Sequence, residues 1–239
     1  MEFCEATLLL GVELSDNKIR LMHEFADMLE EKNKFLNLTR IAREDFDTLQ
    51  SLDSLAIVQA ISTPTAGSLL DVGTGAGVPG IILKIAFPQW NITLLDSTLK
   101  KLTFLDEVIK QLRLKSIRTL HGRAEEIGKD IQYRQQFDIV TARAVGPMPM
   151  LSECCLPLVR VGGKFIAYKG DAIDEELHNS EHGIQLLGGG RPMVTSLLLP
   201  GTDLPRKIIC IEKIRATPPE FPRASAIIKA KPLITSAKE

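Results

Sequence analysis

Two kinds of hydrophobic periodicity divide the chain. From Ser15 to Asn37 the apolar residues recur at helical spacing, which predicts an amphipathic helix that starts at Ser15-Asp16. Its apolar stripe is Ile19, Met22, Phe25, Ala26 and Leu29. A second helix is predicted from about Glu44 to Ile61. The turn-forming cluster at 62–67 then interrupts the helical pattern, so we predict an N-terminal helical extension over residues 1–66.

Beyond that cluster, short apolar runs typical of strands alternate with segments of helical periodicity. Strands are predicted at 68–72, 91–95, 117–120, 137–142, 163–168, 193–199 and 207–213. Helices are predicted at 80–87, 99–112, 149–159 and 174–182. Such alternation is typical of an α/β fold in which helices cover both faces of a parallel sheet. We therefore predict a seven-stranded, mostly parallel sheet over residues 67–215 and an irregular basic tail over 216–239.

The first predicted strand ends in a cluster of glycines at positions 73, 75 and 77, and a predicted helix follows at once. Glycine allows a tight turn and lets a ligand approach the main chain, and a helix N-terminus offers unpaired N–H groups. In such sheets, ligands bind outside the carboxyl ends of the strands, beside the first strand. The turn is therefore the predicted ligand site, although glycine turns without a ligand are also common.

The residues around this turn favour S-adenosylmethionine over a dinucleotide. Asp71 stands two residues before the first glycine, and a carboxylate repels a pyrophosphate but attracts a cation or a hydroxyl. S-adenosylmethionine carries an ammonium, a sulfonium and a ribose diol, and no phosphate. However, Gly75, Gly77 and Gly80 also fit the dinucleotide pattern G-x-G-x-x-G. An NAD-dependent oxidoreductase is therefore the alternative from these residues.

Two acidic residues after the next strands are candidates for the same site. Asp96 ends the second strand, close to the roughly 20-residue interval from Gly73 at which an acid reaches a ribose diol. The alternative for Asp96 is a cap on the following helix. Glu125, next to Ala124, could accept a hydrogen bond from the adenine amino group, or it could be a solvated charge paired with Arg123.

Composition narrows the class of protein. The 239 residues are 44% hydrophobic and 25% charged, which fits one globular domain with an extension. No apolar run reaches the roughly 18 residues of a membrane span, and the N-terminus lacks a signal-peptide pattern, so we expect a cytoplasmic protein. The four cysteines lack C-x-x-C spacing, and no metal site is predicted. The net charge of −1 means that any nucleic-acid contact depends on local basic patches.

Five motifs occur along the chain: D-V-G-T-G-A-G-V-P-G at 71–80, L-L-D-S at 94–97, G-R-A-E-E at 122–126, T-A-R-A at 141–144 and K-G at 169–170. Together they resemble the RsmG family, also called GidB, over residues 33–223. The members are bacterial methyltransferases of small-subunit (16S) ribosomal RNA that methylate N7 of one guanine. The resemblance implies a Rossmann-like class I methyltransferase fold, S-adenosylmethionine as cofactor, and ribosomal RNA or the small subunit as partner. We expect the protein to act as a monomer.

The resemblance also implies site residues. The cofactor contacts are Gly73, Val78, Ala124, Glu125 and Arg143, with Asp96 near the ribose. Two positions depart from the family pattern. Gln50 stands where the family often has a histidine, and Val78 stands where a larger Phe or Leu is usual.

The implied chemistry requires little from the protein beyond positioning. Guanine N7 has a free lone pair, so in-line attack on the sulfonium methyl group needs no general base. Arg143 and Lys169 are candidates for orienting the guanine, because arginine pairs with guanine O6 and N7. For Arg143 a structural ion pair, for instance with Glu125, is the alternative. Cys154 and Cys155 are predicted to be buried helix residues and not nucleophiles.

Basic residues are candidates for RNA phosphate contacts, although each one taken singly is expected to be an ordinary solvated charge. They are Lys32, Lys34, Arg40, Arg43, Lys100, Lys101, Arg113, Lys115, Arg118 and those of the tail. Two further functions are open at this point. One is a small-molecule methyltransferase, which the basic tail disfavours, and the other is a non-catalytic RNA-binding module.

Overall fold

A computed structural model describes residues 1–61 and 67–234 of the chain. The N-terminal extension contains α1 (Phe3–Leu9), α2 (Asp16–Leu36) and α3 (Asp53–Leu55). The prediction of α2 is confirmed, with Asn37 ending the helix in the left-handed conformation at a φ of 48°. The predicted boundary at residue 66 lies outside the described residues.

The helix predicted from about Glu44 to Ile61 is present, but it is irregular. Its turns differ in pitch: 3₁₀ turns at Arg43–Asp45 and Ala56–Gln59 flank a π turn at Asp47–Leu52 and the single α turn of α3. The carbonyl of Leu49, inside the π turn, accepts a hydrogen bond from Arg143 Nη1 at 3.2 Å. Such turns often occur where a helix serves a functional site, and the hydrophobic period cannot show them.

The sheet has seven strands, as predicted. They are β1 (Ser68–Val72), β2 (Asn91–Asp96), β3 (Ile117–His121), β4 (Phe137–Arg143), β5 (Val159–Lys169), β6 (Met193–Leu198) and β7 (Pro205–Glu212). Their spatial order is β3-β2-β1-β4-β5-β7-β6. The first five strands are parallel, and β7 runs antiparallel to both β5 and β6. The α/β prediction with a mostly parallel sheet is confirmed.

The other helices are α4 (Gly80–Ala86), α5 (Leu99–Gln111), α6 (Ala124–Ile127), α7 (Met148–Cys155), α8 (Asp174–Leu186) and α9 (Ser225–Ala230). Successive strand residues face two different apolar cores, since Leu69 belongs to one and Leu70 to the other. The first core also contains Phe25 of α2 and Leu105 of α5, so the N-terminal extension is packed into the same core as the sheet. None of the described helices is long and apolar enough to span a membrane.

The tail is not irregular throughout, as the sequence suggested, because α9 lies within it. A helix of six residues has less than two turns, which is too short for a periodic signal. The guanidinium of Arg134 fixes the preceding segment by donating to the carbonyls of Thr217 (2.8 Å), Pro218 (3.0 Å) and Phe221 (2.7 Å). The tail is therefore an integral part of the fold from its first residues.

A substitution at Gly80 tests how closely β1, β2 and α4 pack. A Cβ at this position would lie 2.2 Å from Leu94 Cδ2 and 3.0 Å from Asp71 Oδ2. We expect Gly80→Ala to lower the free energy of unfolding by about 1–3 kcal/mol, because the core cannot accept the extra volume. Urea denaturation measures this, with Gly170→Ala as the control because a Cβ there meets nothing within 4 Å. Equal stability of the two variants would contradict the packing described.

Candidate functional site

A buried carboxylate shapes the glycine loop between β1 and α4. Asp71 is 1% exposed, and its Oδ2 accepts hydrogen bonds from Thr74 Oγ1 at 2.6 Å and Gly80 N at 3.0 Å. Its Oδ1 accepts from Thr141 Oγ1 at 3.2 Å. Burial raises the pKa of Asp71 to about 6, although these hydrogen bonds act in the opposite direction. The expectation that this carboxylate faces the ligand is wrong, because both of its oxygens are turned towards the protein.

The N–H groups of the loop are also turned inwards. Thr74 N donates to Leu95 O at 3.0 Å, Gly75 N to Asp96 Oδ2 at 3.0 Å, and Gly77 N to Thr74 O at 2.8 Å. Val78 N donates to Thr74 O at 3.3 Å. Together with the Gly80 N–H, five N–H groups of this segment thus have acceptors within the protein. A phosphate-binding loop instead directs such groups at its ligand.

Two glycines of the loop are required by their conformation and by their neighbours. Gly73 has a φ of +67°, and a Cβ there would lie 2.8 Å from Val145 Cγ2. Gly77 has a φ of +92°, and a Cβ there would lie 2.6 Å from Leu105 Cδ2. Only glycine suits both constraints. The loop is therefore held between α5 and the segment that follows β4.

A cavity of about 300 Å³ opens beside this loop at the carboxyl ends of β1, β2 and β3. It brings together four of the predicted site residues: Gly73, Asp96, Ala124 and Glu125. Its opposite wall consists of residues from α7 and α9, namely Met150, Leu151, Cys154, Ser225, Ile228 and Lys229. The volume lies at the lower end of the range for small-molecule sites. The mixture of apolar walls and acidic groups suits a nucleoside.

Asp96 is held by backbone N–H groups but is not the N-cap of α5, because Thr98 occupies that position. Its Oδ1 accepts from Thr98 N at 2.8 Å, at the start of α5, and its Oδ2 accepts from Gly75 N. The side chain also lines the cavity, with Lys101 Nζ 3.9 Å from Oδ2. Each carboxylate oxygen has two lone pairs, so both oxygens retain acceptor capacity for a ligand hydroxyl. The bonds from Thr98 N and Gly75 N hold the carboxylate in one orientation at the cavity.

Ala124 and Glu125 are the first two residues of α6, and both line the cavity. Arg123 lines it as well. Among the ion pairs of the described residues, none joins Glu125 to Arg123 or to Arg143. The carboxylate of Glu125 thus lies at the cavity without either of the arginine partners that the sequence suggested.

Val78 and Arg143 do not line the cavity. Val78 is 5% exposed and belongs to the core below the loop. Arg143 is bound instead by the N-terminal extension: Nη1 donates to Asp53 Oδ2 at 2.9 Å, and Nη2 donates to Gln50 Oε1. The ion-pair alternative for Arg143 is thus realised, but with Asp53 as the partner and not Glu125. The cofactor contacts implied for Val78 and Arg143 stay predictions.

The sequence analysis did not identify Asp53 or the role of Gln50. Asp53 Oδ1 also accepts from Arg206 Nε at 2.7 Å, so one carboxylate joins two arginines. Gln50 donates from Nε2 to Thr39 Oγ1 at 3.1 Å while its Oε1 accepts from Arg143. Asp53, three residues after Gln50, lies on the next turn of the same irregular helix. Both residues lie in the sequence DTLQSLDSL at 47–55, where polar residues separate the leucines, so no feature of the sequence distinguished Gln50 and Asp53 from the other polar residues.

Lys169 is hydrogen-bonded to two neighbouring groups. Lys169 Nζ donates to Gly146 O at 2.8 Å and to Glu176 Oε1 at 2.6 Å.

Cys155 is buried as predicted, whereas Cys154 is half-buried and lines the cavity. Burial and two neighbouring carboxylates raise the pKa of Cys154 to about 12. Its thiol therefore stays protonated at neutral pH and is a poor nucleophile.

The basic residues predicted to contact RNA have different environments. Three are paired with acids: Lys32 with Glu107, Lys34 with Glu31 and Arg43 with Asp27. Arg40 is exposed, and Lys101 lies at the cavity beside Asp96. A second group is exposed on α5, on the edge strand β3 and between them, and consists of Lys100, Arg113, Lys115 and Arg118. This second group is the better candidate for phosphate contacts.

Comparisons with known proteins agree on one family. The model of the family "GidB: rRNA small subunit methyltransferase G" matches residues 18–204. Ribosomal RNA small subunit methyltransferase G of Lachnoclostridium phytofermentans is 42% identical over 97% of this chain and 96% of its own length. That of Acetivibrio thermocellus is 45% identical over 93% and 92%. A crystal structure of a predicted O-methyltransferase from Agrobacterium tumefaciens shares the fold, with a TM-score of 0.53 and 16% identity over 71% of this chain and 83% of that one.

The raised pKa of Asp71 makes the free energy of unfolding of the chain depend on pH. Its pKa is about 6 in the folded chain and 3.8 ordinarily, so the folded state holds the proton more tightly. The stability that this group contributes is full below pH 3.8 and falls by up to about 3 kcal/mol as the pH rises through 6. Asp71→Asn keeps the shape but does not titrate. We expect the free energy of unfolding of Asp71→Asn, relative to that of the wild type, to rise by up to about 3 kcal/mol between pH 4 and pH 7.

Urea denaturation of both chains across this pH range measures the difference, since all other groups titrate in both. Asp106→Asn, at an exposed position on α5, is the control and should not change the pH profile in this way. A constant difference between wild type and Asp71→Asn would contradict the raised pKa.

Proposed function

This chain belongs to the rRNA small subunit methyltransferase G family, GidB, and from that premise we propose that it transfers a methyl group from S-adenosylmethionine to N7 of a guanine in small-subunit (16S) ribosomal RNA. The observation that carries the proposal is the cavity at the carboxyl ends of β1, β2 and β3, where Asp96 and Glu125 face an apolar wall. These groups fit a nucleoside with a diol and an amino group. The transfer takes place on the RNA in the cytoplasm.

The structure disfavours the NAD alternative at the glycine loop itself. A dinucleotide site holds its pyrophosphate with loop N–H groups at a helix N-terminus. Here the N–H groups of Gly75, Gly77 and Gly80 donate to acceptors within the protein. The nearest carboxylate that lines the cavity, Asp96, would also repel a diphosphate. S-adenosylmethionine avoids both problems because it has no phosphate.

When bound, S-adenosylmethionine supplies an electrophilic methyl group on a positively charged sulfur. The contribution of the chain is to position this group. Asp96 holds the ribose diol, Glu125 accepts from the adenine amino group, and Gly73 lets the cofactor approach the main chain beside β1. The attacking N7 carries a lone pair and no proton, so the protein needs no general base and acts by holding the reactants in line.

The guanine is proposed to enter at the carboxyl ends of β4 and β5, where Arg143 and Lys169 lie. Arg143 has five N–H donors, and its contacts with Leu49, Gln50 and Asp53 use three of them. The other two remain for the cofactor or for guanine O6. Lys169 is neutralised by Glu176 at 2.6 Å, which makes it a weaker candidate for orienting the base.

Asp96→Ala tests the ribose contact. We expect the variant to bind S-adenosylhomocysteine about 1–3 kcal/mol less tightly, the cost of removing a buried hydrogen-bond partner. Isothermal titration calorimetry measures the affinity, and the exposed Asp106→Ala is the control. Because Asp96 also accepts from Thr98 N and Gly75 N, the 2′,3′-dideoxy analogue of the ligand separates a ribose contact from a structural effect. Loss of the diol should weaken binding to wild type but not to Asp96→Ala, and an equal loss in both would refute the ribose role.

The substrate is tested in cells of the source bacterium. We expect deletion of the gene to remove one N7-methylguanine from small-subunit ribosomal RNA, which mass spectrometry of the modified bases detects. The wild-type chain should restore the modification, Asp106→Ala should restore it equally, and Asp96→Ala should restore much less. Unchanged N7-methylguanine in the deletion strain, or tight NADH binding by the purified chain, would contradict the assignment.

A further inference from the structure

The segment 144–147, which we call the β4–α7 loop, connects the two sides of the site. It follows Arg143, the last residue of β4, at the edge where the guanine is proposed to enter. Val145 of the loop lines the cavity. It also meets the glycine loop, since a Cβ at Gly73 would lie 2.8 Å from Val145 Cγ2. The β4–α7 loop therefore joins the arginine to the wall of the cavity.

The backbone of this loop has a conformation that its own residues do not favour. Ala144 has a φ of 56°, in the left-handed region that a residue with a Cβ rarely adopts. Gly146 approaches α7 closely, because a Cβ there would lie 2.2 Å from Met150 Cε. A conformation of this kind persists only where the surrounding structure imposes it. Contacts from other elements are therefore needed to hold the loop.

An ion pair between Lys169, at the end of β5, and Glu176 of α8 supplies those contacts. Lys169 Nζ donates to Gly146 O at 2.8 Å, inside the loop, and to Glu176 Oε1 at 2.6 Å. The same Oε1 accepts from the backbone N of Met148, the first residue of α7. The side chains of the pair are 14% and 29% exposed, so solvent screens them only in part. The pair holds the loop at its middle and at its end.

The start of α7 requires an acceptor from elsewhere in the fold. The first N–H groups of a helix have no acceptor within it, and the residue before α7 is Pro147, whose side chain has no polar atom. Glu176 supplies the missing acceptor from α8. A carboxylate is favoured at this end of a helix, because the helix dipole is positive there. The acid thus ties the start of α7 to a second helix.

We propose that Glu176 is a positioning residue for the methyl transfer and acts through the β4–α7 loop. The proposal rests on the proposed function. Neither Glu176 nor Lys169 lines the cavity. Glu176 fixes the start of α7 directly and the middle of the loop through Lys169. The loop in turn sets the distance between Val145 at the cavity and Arg143 at the entry of the base. Because in-line transfer requires a narrow geometry, a displaced loop lowers the rate of transfer more than it lowers affinity.

Amide hydrogen exchange tests the anchoring without any ligand. Glu176→Met keeps the length of the side chain but removes the acceptor for Met148 N. We expect the peptide 144–150 to exchange about tenfold faster or more in this variant than in wild type, as mass spectrometry measures. Glu175→Met, the same change at the exposed neighbouring position, is the control and should exchange like wild type. Glu176→Gln keeps an oxygen in the place of Oε1 and should also exchange like wild type.

The kinetics of methyl transfer to small ribosomal subunits test the consequence. We expect Glu176→Met to lower kcat about 10- to 100-fold. The KM for the subunit and the affinity for S-adenosylhomocysteine should change by less than about threefold. Glu175→Met should leave all three values unchanged, and Glu176→Gln should retain most of the kcat. A role in stability alone would not produce this split, and thermal unfolding confirms that each variant is folded.

A double variant shows whether the two members of the ion pair act through one loop. Lys169→Met combined with Glu176→Met should be no slower than the slower of the two single variants. Losses that multiply would overturn the proposal. Equal kcat values for the Glu176→Met and Glu175→Met variants, a loss of affinity without a loss of kcat, or a glutamine variant as slow as the methionine variant would overturn it as well.

Failure of the wild-type chain to methylate the subunits would instead overturn the proposed function. Hydrogen exchange would still report whether Glu176 anchors the loop, so the two failures are distinguishable.

Discussion

The carboxylate of Asp71 is the interaction on which the site depends. It is buried at the end of β1 and accepts hydrogen bonds from two residues of the loop, Thr74 and Gly80, and from Thr141 of β4. Its burial is unfavourable, as its raised pKa shows. The same bonds hold the loop in one conformation. The acid that suggested a cation-binding loop thus acts indirectly, because it accepts from the Gly80 N–H and does not line the cavity.

The register of the sheet decides which acid reaches the cavity. Asp71 lies opposite Leu94 of β2 and Thr141 of β4, inside the sheet. Asp96 lies two residues beyond Leu94, where β2 has passed the end of β1, and its carboxylate reaches the cavity. Because side chains alternate between the faces of a strand, Asp71, Leu94 and Asp96 share one face of the sheet, and the two acids differ only in their distance from the carboxyl ends of the strands. The division of roles between the two acids follows from strand pairing.

The sequence predicted what depends on local pattern. Strand β1 and the helix α5 were found because apolar periodicity is strong there, and Asp96 was found because strand ends converge at a switch point. It did not predict the π turn at Asp47–Leu52 or the partner of Arg143. These depend on contacts between residues about 90 positions apart. Helix α9 was missed because six residues give no periodic signal, and the bonds between Arg223 and Glu153 that precede it join residues 70 positions apart.

The two ends of the chain serve different sides of the same site. The C-terminal segment closes the cavity beside β1, β2 and β3, whereas the N-terminal extension reaches the ends of β4 and β7 through Asp53. There one carboxylate faces the guanidinium groups of Arg143 and Arg206, which leaves an excess of positive charge. A half-buried positive cluster attracts a polyanion more strongly than an exposed one, because solvent screens it less. The N-terminal extension thus holds two guanidinium groups at one side of the carboxyl edge of the sheet, and α9 lies at the cavity on the other side.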